Sequence, residues 1–392
     1  MNAPTDSLLR QRSRSDSGKV TMVELFFDLV FVFAVTQLSH GLLANLSPLG
    51  ALHTLMLFMA VWWLWTFTSW ATNWLNPEKV PVRLMLLGLM LGGLVLSASI
   101  PEAFAGKGLL FAGAFAAMQV GRTVFMLWAL RGESPAQFRN FTRILAWMLL
   151  SAVFWLWGGF ETGHQRMVLW MVAIAIEYVS PSVAFWVPGL GRSSTADWDV
   201  DGGHMAERCG LFVIIALGES ILVTGATFAE LPLSADAVGA FVVAFIGSVA
   251  MWWVYFDTGA GRAAHRIEHA ADPGRIARVA YTYLHLLIVA GIIVCAVADE
   301  IVLVHPGHAE SMGLAIIVGG PALYLLGNAL FKWVSNDRRF PPLSHVSGLL
   351  LLAVLVPLGM SLHFSALLLG SLTTAVMVLV AAWETLSLRR AG

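Results

Sequence analysis

The sequence predicts an all-α, polytopic integral membrane protein with about twelve transmembrane helices and both termini cytoplasmic. Three observations predict it. The 392-residue chain is 58% hydrophobic and only 12% charged, where a soluble domain carries about 25% charged residues. Twelve runs are apolar over the length a bilayer span needs, about 20 residues. Twenty of the 23 lysines and arginines fall on one face of the membrane if the N-terminus is cytoplasmic. Lys107 and Arg166 fall on the other face, and Arg122 lies inside the fourth run. This is the positive-inside bias of an even number of spans.

Residues 1–21 form a polar, Arg-rich cytoplasmic tail. They resemble the start of a signal peptide. The run behind them is too long for one and lacks a small-x-small cleavage site, so it reads as a retained helix. The runs are 22–41, 52–73, 82–100, 108–130, 142–159, 167–187, 208–228, 237–256, 279–298, 311–331, 344–361 and 364–386. The first carries Glu24 and Asp28, four residues apart and so on one helix face. A carboxylate at the bilayer centre costs roughly 2.5–3.5 kcal/mol, so this face is expected to look into a bundle. In the second run Trp62, Trp63, Trp65, Trp70 and Trp74 cover several faces, which reads as interfacial anchoring.

The fourth run holds Gln119 and Arg122. Arg122 lies near the depth of Asp28, which makes Asp28 or Glu24 its expected partner. The sixth carries Glu177. The seventh carries Glu219, in A-L-G-E-S-I-L, close to the midplane. A carboxyl there is cheaper neutral than charged, which suits a proton-coupling group. The ninth holds His285, a residue able to relay a proton near neutral pH. Only Ser361 and His363 divide the last two runs, so a single re-entrant hairpin is an alternative there.

The chain reads as two parallel six-helix repeats, 22–187 and 208–388, joined by a cytoplasmic linker over 188–207. Glu24 parallels Glu207, and W-W-L-W-T-F (62–67) parallels W-W-V-Y-F-D (252–257). Pro101-Glu102 parallels Asp299-Glu300, Gly121 parallels Gly327, and Glu177 parallels Glu384. Six spans per half keep both halves in the same orientation, an arrangement found in some secondary transporters.

In the linker Asp197, Asp199, Asp201 and Gly202 match the first half of a calcium-loop pattern. The pattern fails at position twelve, which is Arg208 rather than glutamate. A solvated acidic linker is the simpler reading. His204 with Glu207 is half a metal site with nothing to complete it. Gly218-Glu219-Ser220-Ile221 lacks the second glycine of a nucleophile elbow. Cys209 and Cys295 form no disulfide or zinc pattern. No metal or cofactor is expected. A net charge of −1 argues against nucleic acid as a partner. The expected partners are the lipid bilayer and an unknown small molecule or ion.

At E-L-F-F-D-L-V-F-V-F-A-V-T-Q-L (24–38), H-M-A-E-R-C-G-L-F-V-I-I-A-L-G-E-S-I-L (204–222) and Y-L-H-L-L-I-V-A-G-I-I-V (283–294) the chain resembles the bacterial low temperature requirement A family. The resemblance implies a multi-pass protein of the bacterial inner membrane, linked by family name to growth in the cold. It supplies no substrate. It places the family's polar positions on Glu24, Asp28, His204, Glu207, Arg208, Glu219, Ser220 and His285.

These readings lead to a transporter-like protein rather than an enzyme. Its proton- or cation-coupled site would be built from Glu24, Asp28, Arg122, Glu177, Glu219 and His285 and lie between the halves. The alternatives are a membrane-embedded enzyme acting on lipid, with His204, Glu207 or Glu219 as acid–base groups, and a non-catalytic protein that supports the membrane in the cold.

Overall fold

The computed structural model describes residues 7–10, 19–194, 200–257, 267, 272–307, 310–335 and 339–389. Among these the fold is all-α, with two isolated β-bridges and no sheet. The long helices are α1 (Met22–Ala44), α2 (Pro48–Trp74), α3 (Val80–Ser99), α4 (Gly108–Leu130), α5 (Pro135–Phe160) and α6 (Gly163–Val179). They continue with α7 (Gly202–Glu230), α8 (Ala235–Phe256), α9 (Pro273–Val304), α10 (Ser311–Ser335), α11 (Leu343–Leu362) and α12 (Ala366–Arg389). Eleven are long and apolar enough to cross a membrane.

The exception is α6, with 17 residues. The sixth apolar run was expected to span 167–187, but the helix stops at Val179. Pro181 cannot continue a helix and disfavours it in the residue before. Ala184 and Phe185 then take left-handed backbone, φ 54° and 47°. Phe185 turns back into the core and is 1% exposed. Hydropathy cannot tell such a folded-back apolar segment from the end of a span. The last two runs are separate helices, divided by His363 in left-handed conformation at the end of α11.

The helices are apolar on both faces. In α3, Val82, Leu86, Leu89 and Leu96 are buried, while Leu84, Leu87, Leu91 and Leu94 form an exposed stripe at helical spacing. In water such a stripe would be an aggregation surface; in lipid it is the solvent-facing side.

The chain divides into two compact units, one of Met1–Gly41, Leu49–Met205 and Asp272–Arg275, the other of Leu42–Pro48, Ala206–Ala271 and Ile276–Gly392. In the first, α3 packs on α4, α4 on α5, and α5 on α6. Its core gathers Leu75, Val82, Met126, Ile144 and Met148. Trp62, Trp63 and Trp65 on α2 are fully buried. That corrects the interfacial-anchor reading of these three, because side chains closed in protein cannot reach a membrane interface. Trp63 stacks on Tyr178 at 4.1 Å between ring centres.

In the second unit α9 packs on α10, α10 on α11, and α11 on α12, and α8 packs on α12 and α9. Small residues set the α9–α10 contact, as expected where lipid supplies no hydrophobic drive. A Cβ on Gly320 would stand 2.8 Å from the Cys295 backbone nitrogen, one on Gly327 2.8 Å from that of Ile288, and one on Gly291 2.5 Å from that of Tyr324. Backbone cannot yield as a side-chain tip can. Gly291→Val should therefore cost about 3 kcal/mol or more. Gly88→Ala, where a Cβ meets nothing within 4 Å, should be close to neutral. Thermal unfolding of the two purified variants in detergent checks the contrast.

Candidate functional site

At the start of α1, Thr21 and Glu24 have the spacing of a capping box. The Glu24 Oε2 atom accepts from the Thr21 backbone N–H and hydroxyl, each at 2.9 Å. Glu24 also reaches beyond its own helix. Arg10 Nη2 lies 2.9 Å from Oε2, and His204 Nε2 lies 2.8 Å from Oε1. Arg10 is held in turn by the end of α2, its Nε donating to the Thr72 and Leu75 carbonyls at 2.8 and 3.1 Å.

The His204 tautomer follows from its neighbours. Asn73 pairs with the backbone of Asp201, its amide donating to the carbonyl at 2.9 Å and its oxygen accepting from the N–H at 3.1 Å. That fixes the amide orientation. Its nitrogen therefore faces His204 Nδ1 as a donor, at 3.3 Å. Nδ1 accepts, so Nε2 carries the hydrogen and gives it to Glu24. Asp201 is the N-cap of α7, its Oδ1 accepting from the His204 backbone N–H at 2.9 Å. Asp197 and Asp199, the other acids of the calcium-like pattern, lie outside the described residues. Glu24 and His204 are both 0% exposed.

A second network crosses the middle of the same unit. Arg122, expected to pair with Asp28 or Glu24, turns elsewhere. Its guanidinium donates to the Leu64 carbonyl at 3.3 Å, to the Thr68 hydroxyl at 3.0 Å and to the side-chain oxygen of Gln119. Gln119 Nε2 donates onward to Glu177 Oε2 at 2.9 Å, and the Ser151 hydroxyl donates to Glu177 Oε1. Depth in the bilayer sets the height of a charge but not the direction it faces. Gln119 is three residues before Arg122, on the same face of α4, and that face meets the acid of α6. Asp28 accepts instead from the Trp65 indole at 2.8 Å. Arg122 thus bonds to neither Glu24 nor Asp28.

The second unit has a related pair that the sequence reading missed. Lys332 Nζ lies 2.7 Å from Glu384 Oε2 and donates to the Val254 carbonyl, also at 2.7 Å. His345 Nε2 is 3.9 Å from the same carboxylate. Lys332 was counted as a cytoplasmic positive charge because its apolar run ends at 331. The helix continues to Ser335 and carries the ammonium inward, leaving it 1% exposed.

His285 stands apart from the acids. Its Nδ1 lies 2.8 Å from the Ala280 carbonyl, which can only accept, so Nδ1 carries the hydrogen. Its Nε2 then accepts from the Tyr255 hydroxyl at 2.8 Å. The ring sits edge-on to Phe331, 4.6 Å between centres, just after the π-helical turn Arg278–Leu284. Both nitrogens are satisfied, which is the geometry of a packing residue. On α7 Arg208, Glu219 and Ser220 are buried, and Glu207 is exposed. Ser220 Oγ donates to Asp299 Oδ2 at 3.3 Å, and the Ser248 hydroxyl is 3.5 Å from Ser220. Asp299 was noted in the sequence only as the end of a span.

The chain matches the family described as bacterial low temperature requirement A protein (LtrA) over residues 19–382. It is similar to an uncharacterized protein of Rhizobium meliloti (strain 1021), 43% identical over 384 residues, which cover 97% of this chain and 92% of that protein. No solved structure matches it. With nearly every helix inside the matched region, the chain belongs to the bacterial low temperature requirement A family, as a multi-pass helical membrane protein.

Proposed function

We propose that this is a transporter-like protein of the bacterial cytoplasmic membrane, in which acids within the helix bundle move a proton or a small cation. One observation carries the reading. In each unit a buried acid on the last helix is wired to a cation two helices earlier, Glu177 to Arg122 through Gln119 and Glu384 to Lys332 directly. Ionised groups at bilayer depth are costly, and well-packed apolar side chains would hold the helices at least as firmly. Their presence in both units is more economically explained by a charge-moving role than by glue. The repeated packing order, α3 to α6 and α9 to α12, supports the reading of two six-helix repeats. The arginine bias and the bacterial family support the cytoplasmic membrane.

Glu219 completes the set of candidate coupling acids. It lies mid-helix in α7 and is 3% exposed. Reconstituted into vesicles carrying an internal pH dye, the wild type should dissipate an imposed proton or cation gradient faster than protein-free vesicles. Glu219→Gln should lose that flux while unfolding at a similar temperature. Normal flux in the variant would remove Glu219 from the mechanism.

A further inference from the structure

Asp299 borders a cavity of about 30 Å³ between α8, α9, α10 and α12, all within the second unit. The volume is about that of one water molecule. Its wall combines Asp299 with Thr373, Thr374, Cys295, Ile317 and Pro321 among apolar side chains. Pro321 lies inside α10 and has no N–H. The Ile317 carbonyl, four residues earlier, therefore loses its normal helical donor. The Thr373 hydroxyl gives its hydrogen to the Gly370 carbonyl at 3.0 Å, which leaves its oxygen able to bind a positive centre. Ser220 donates to one oxygen of Asp299 at 3.3 Å and orients the carboxylate.

We propose that this cavity binds one dehydrated monovalent cation of the sodium class, held by the Asp299 carboxylate with Thr373, Thr374 and the Ile317 carbonyl as neutral ligands. Charge, size and ligand type each narrow the choice. One carboxylate balances one positive charge, and a divalent ion would leave an excess charge in an apolar wall. The narrow room beside Asp299, about 30 Å³, suits a bare ion better than a bulky organic substrate. Carboxylate, hydroxyl and carbonyl oxygens are hard ligands that do not favour transition metals. Among the described residues no group of three or more His, Cys, Asp or Glu could hold a metal ion. A carbonyl freed by a break in helix bonding is also the device by which membrane helices coordinate sodium in transporters. The proposal rests on the transport reading for its purpose, since it names the coupling ion, but binding can be measured without flux.

The test uses the purified full chain in detergent, with sodium replaced by choline at constant ionic strength. The wild-type unfolding midpoint should rise with sodium and saturate. Asp299→Asn should lose the rise, and Asp236→Asn, which removes an exposed charge in the first turn of α8, should keep it. Pro321→Ala returns an N–H to the Ile317 carbonyl. It should fold at least as well and bind sodium about tenfold more weakly, the effect of losing one modest ligand. This variant keeps the proposal open to failure even if Asp299→Asn does not fold. A wild type indifferent to sodium, or a sodium response unchanged in both Asp299→Asn and Pro321→Ala, overturns it. So does a midpoint that follows pH through Asp299 and ignores sodium, which would assign the carboxyl to a proton. Sodium binding without flux upholds the site and counts only against the transport reading.

Discussion

Replacing Arg122 with alanine should lower the stability of the folded protein by about 3–5 kcal/mol, the range for breaking a buried charge pair from one side. Arg122 is 2% exposed and gives its hydrogens to Leu64, Thr68 and Gln119. Without it the Leu64 carbonyl loses a donor, and Glu177 loses the positive charge that reached it through Gln119. The loss should be shared with Glu177. Combining Arg122→Ala with Glu177→Gln should cost clearly less than the sum of the two single changes, because residues in one network do not add. Arg122→Lys should rescue little, since an ammonium lacks the planar fork that serves three acceptors at once. Unfolding in detergent, followed by tryptophan fluorescence, measures all four proteins. A single-variant cost below about 1 kcal/mol, the value of an exposed pair, would mean that the network carries no buried charge.

Glu24→Ala should be comparably severe. It removes the partner of Arg10 and of His204 and strips the capping box from α1. The cap contributes about 1 kcal/mol, and a stranded buried partner costs about 3–5 kcal/mol. Glu24→Gln should be milder, because an amide oxygen can still accept from Thr21 and keep the cap, although the contact with His204 is lost. Arg10→Ala should reproduce part of the loss, as it leaves the Glu24–His204 contact in place. If Arg10→Ala and Glu24→Ala prove additive in the same unfolding assay, the two side chains are energetically independent and the network is no network.

The helices were legible because hydropathy measures transfer to lipid, and that term dominates every long element. Among the described residues eleven of the twelve long helices are long and apolar enough to cross a membrane. Residues 21–24 hold a signal that the sequence reading passed over, since T-x-x-E marks the beginning of a helix that caps itself. The pairing of charges was not legible. Arg122 and Asp28 lie at similar depth, yet which helices are neighbours and how each is rotated decide their partners. Lys332 was assigned to a loop because one turn beyond an apolar run looks like solvent. Only the packing of α10 against α8 and α12 shows that it is core. The tryptophans of α2 misled for a similar reason, since an indole suits a membrane interface and a protein core about equally. Asp201, read from the sequence as part of a solvated acidic linker, caps the start of α7.

The most direct test is the flux of Glu177→Gln beside its unfolding midpoint, both measured on one preparation in vesicles. The substitution keeps the shape of the side chain and, on its amide oxygen, the bond from Gln119; the Ser151 hydroxyl must turn to accept from the new NH2, and the ability to ionise is removed. A charge-moving role predicts gradient-driven flux reduced to that of protein-free vesicles with the chain still folded. Undiminished flux in a folded variant, or a wild type that moves no proton or cation at all, would contradict it.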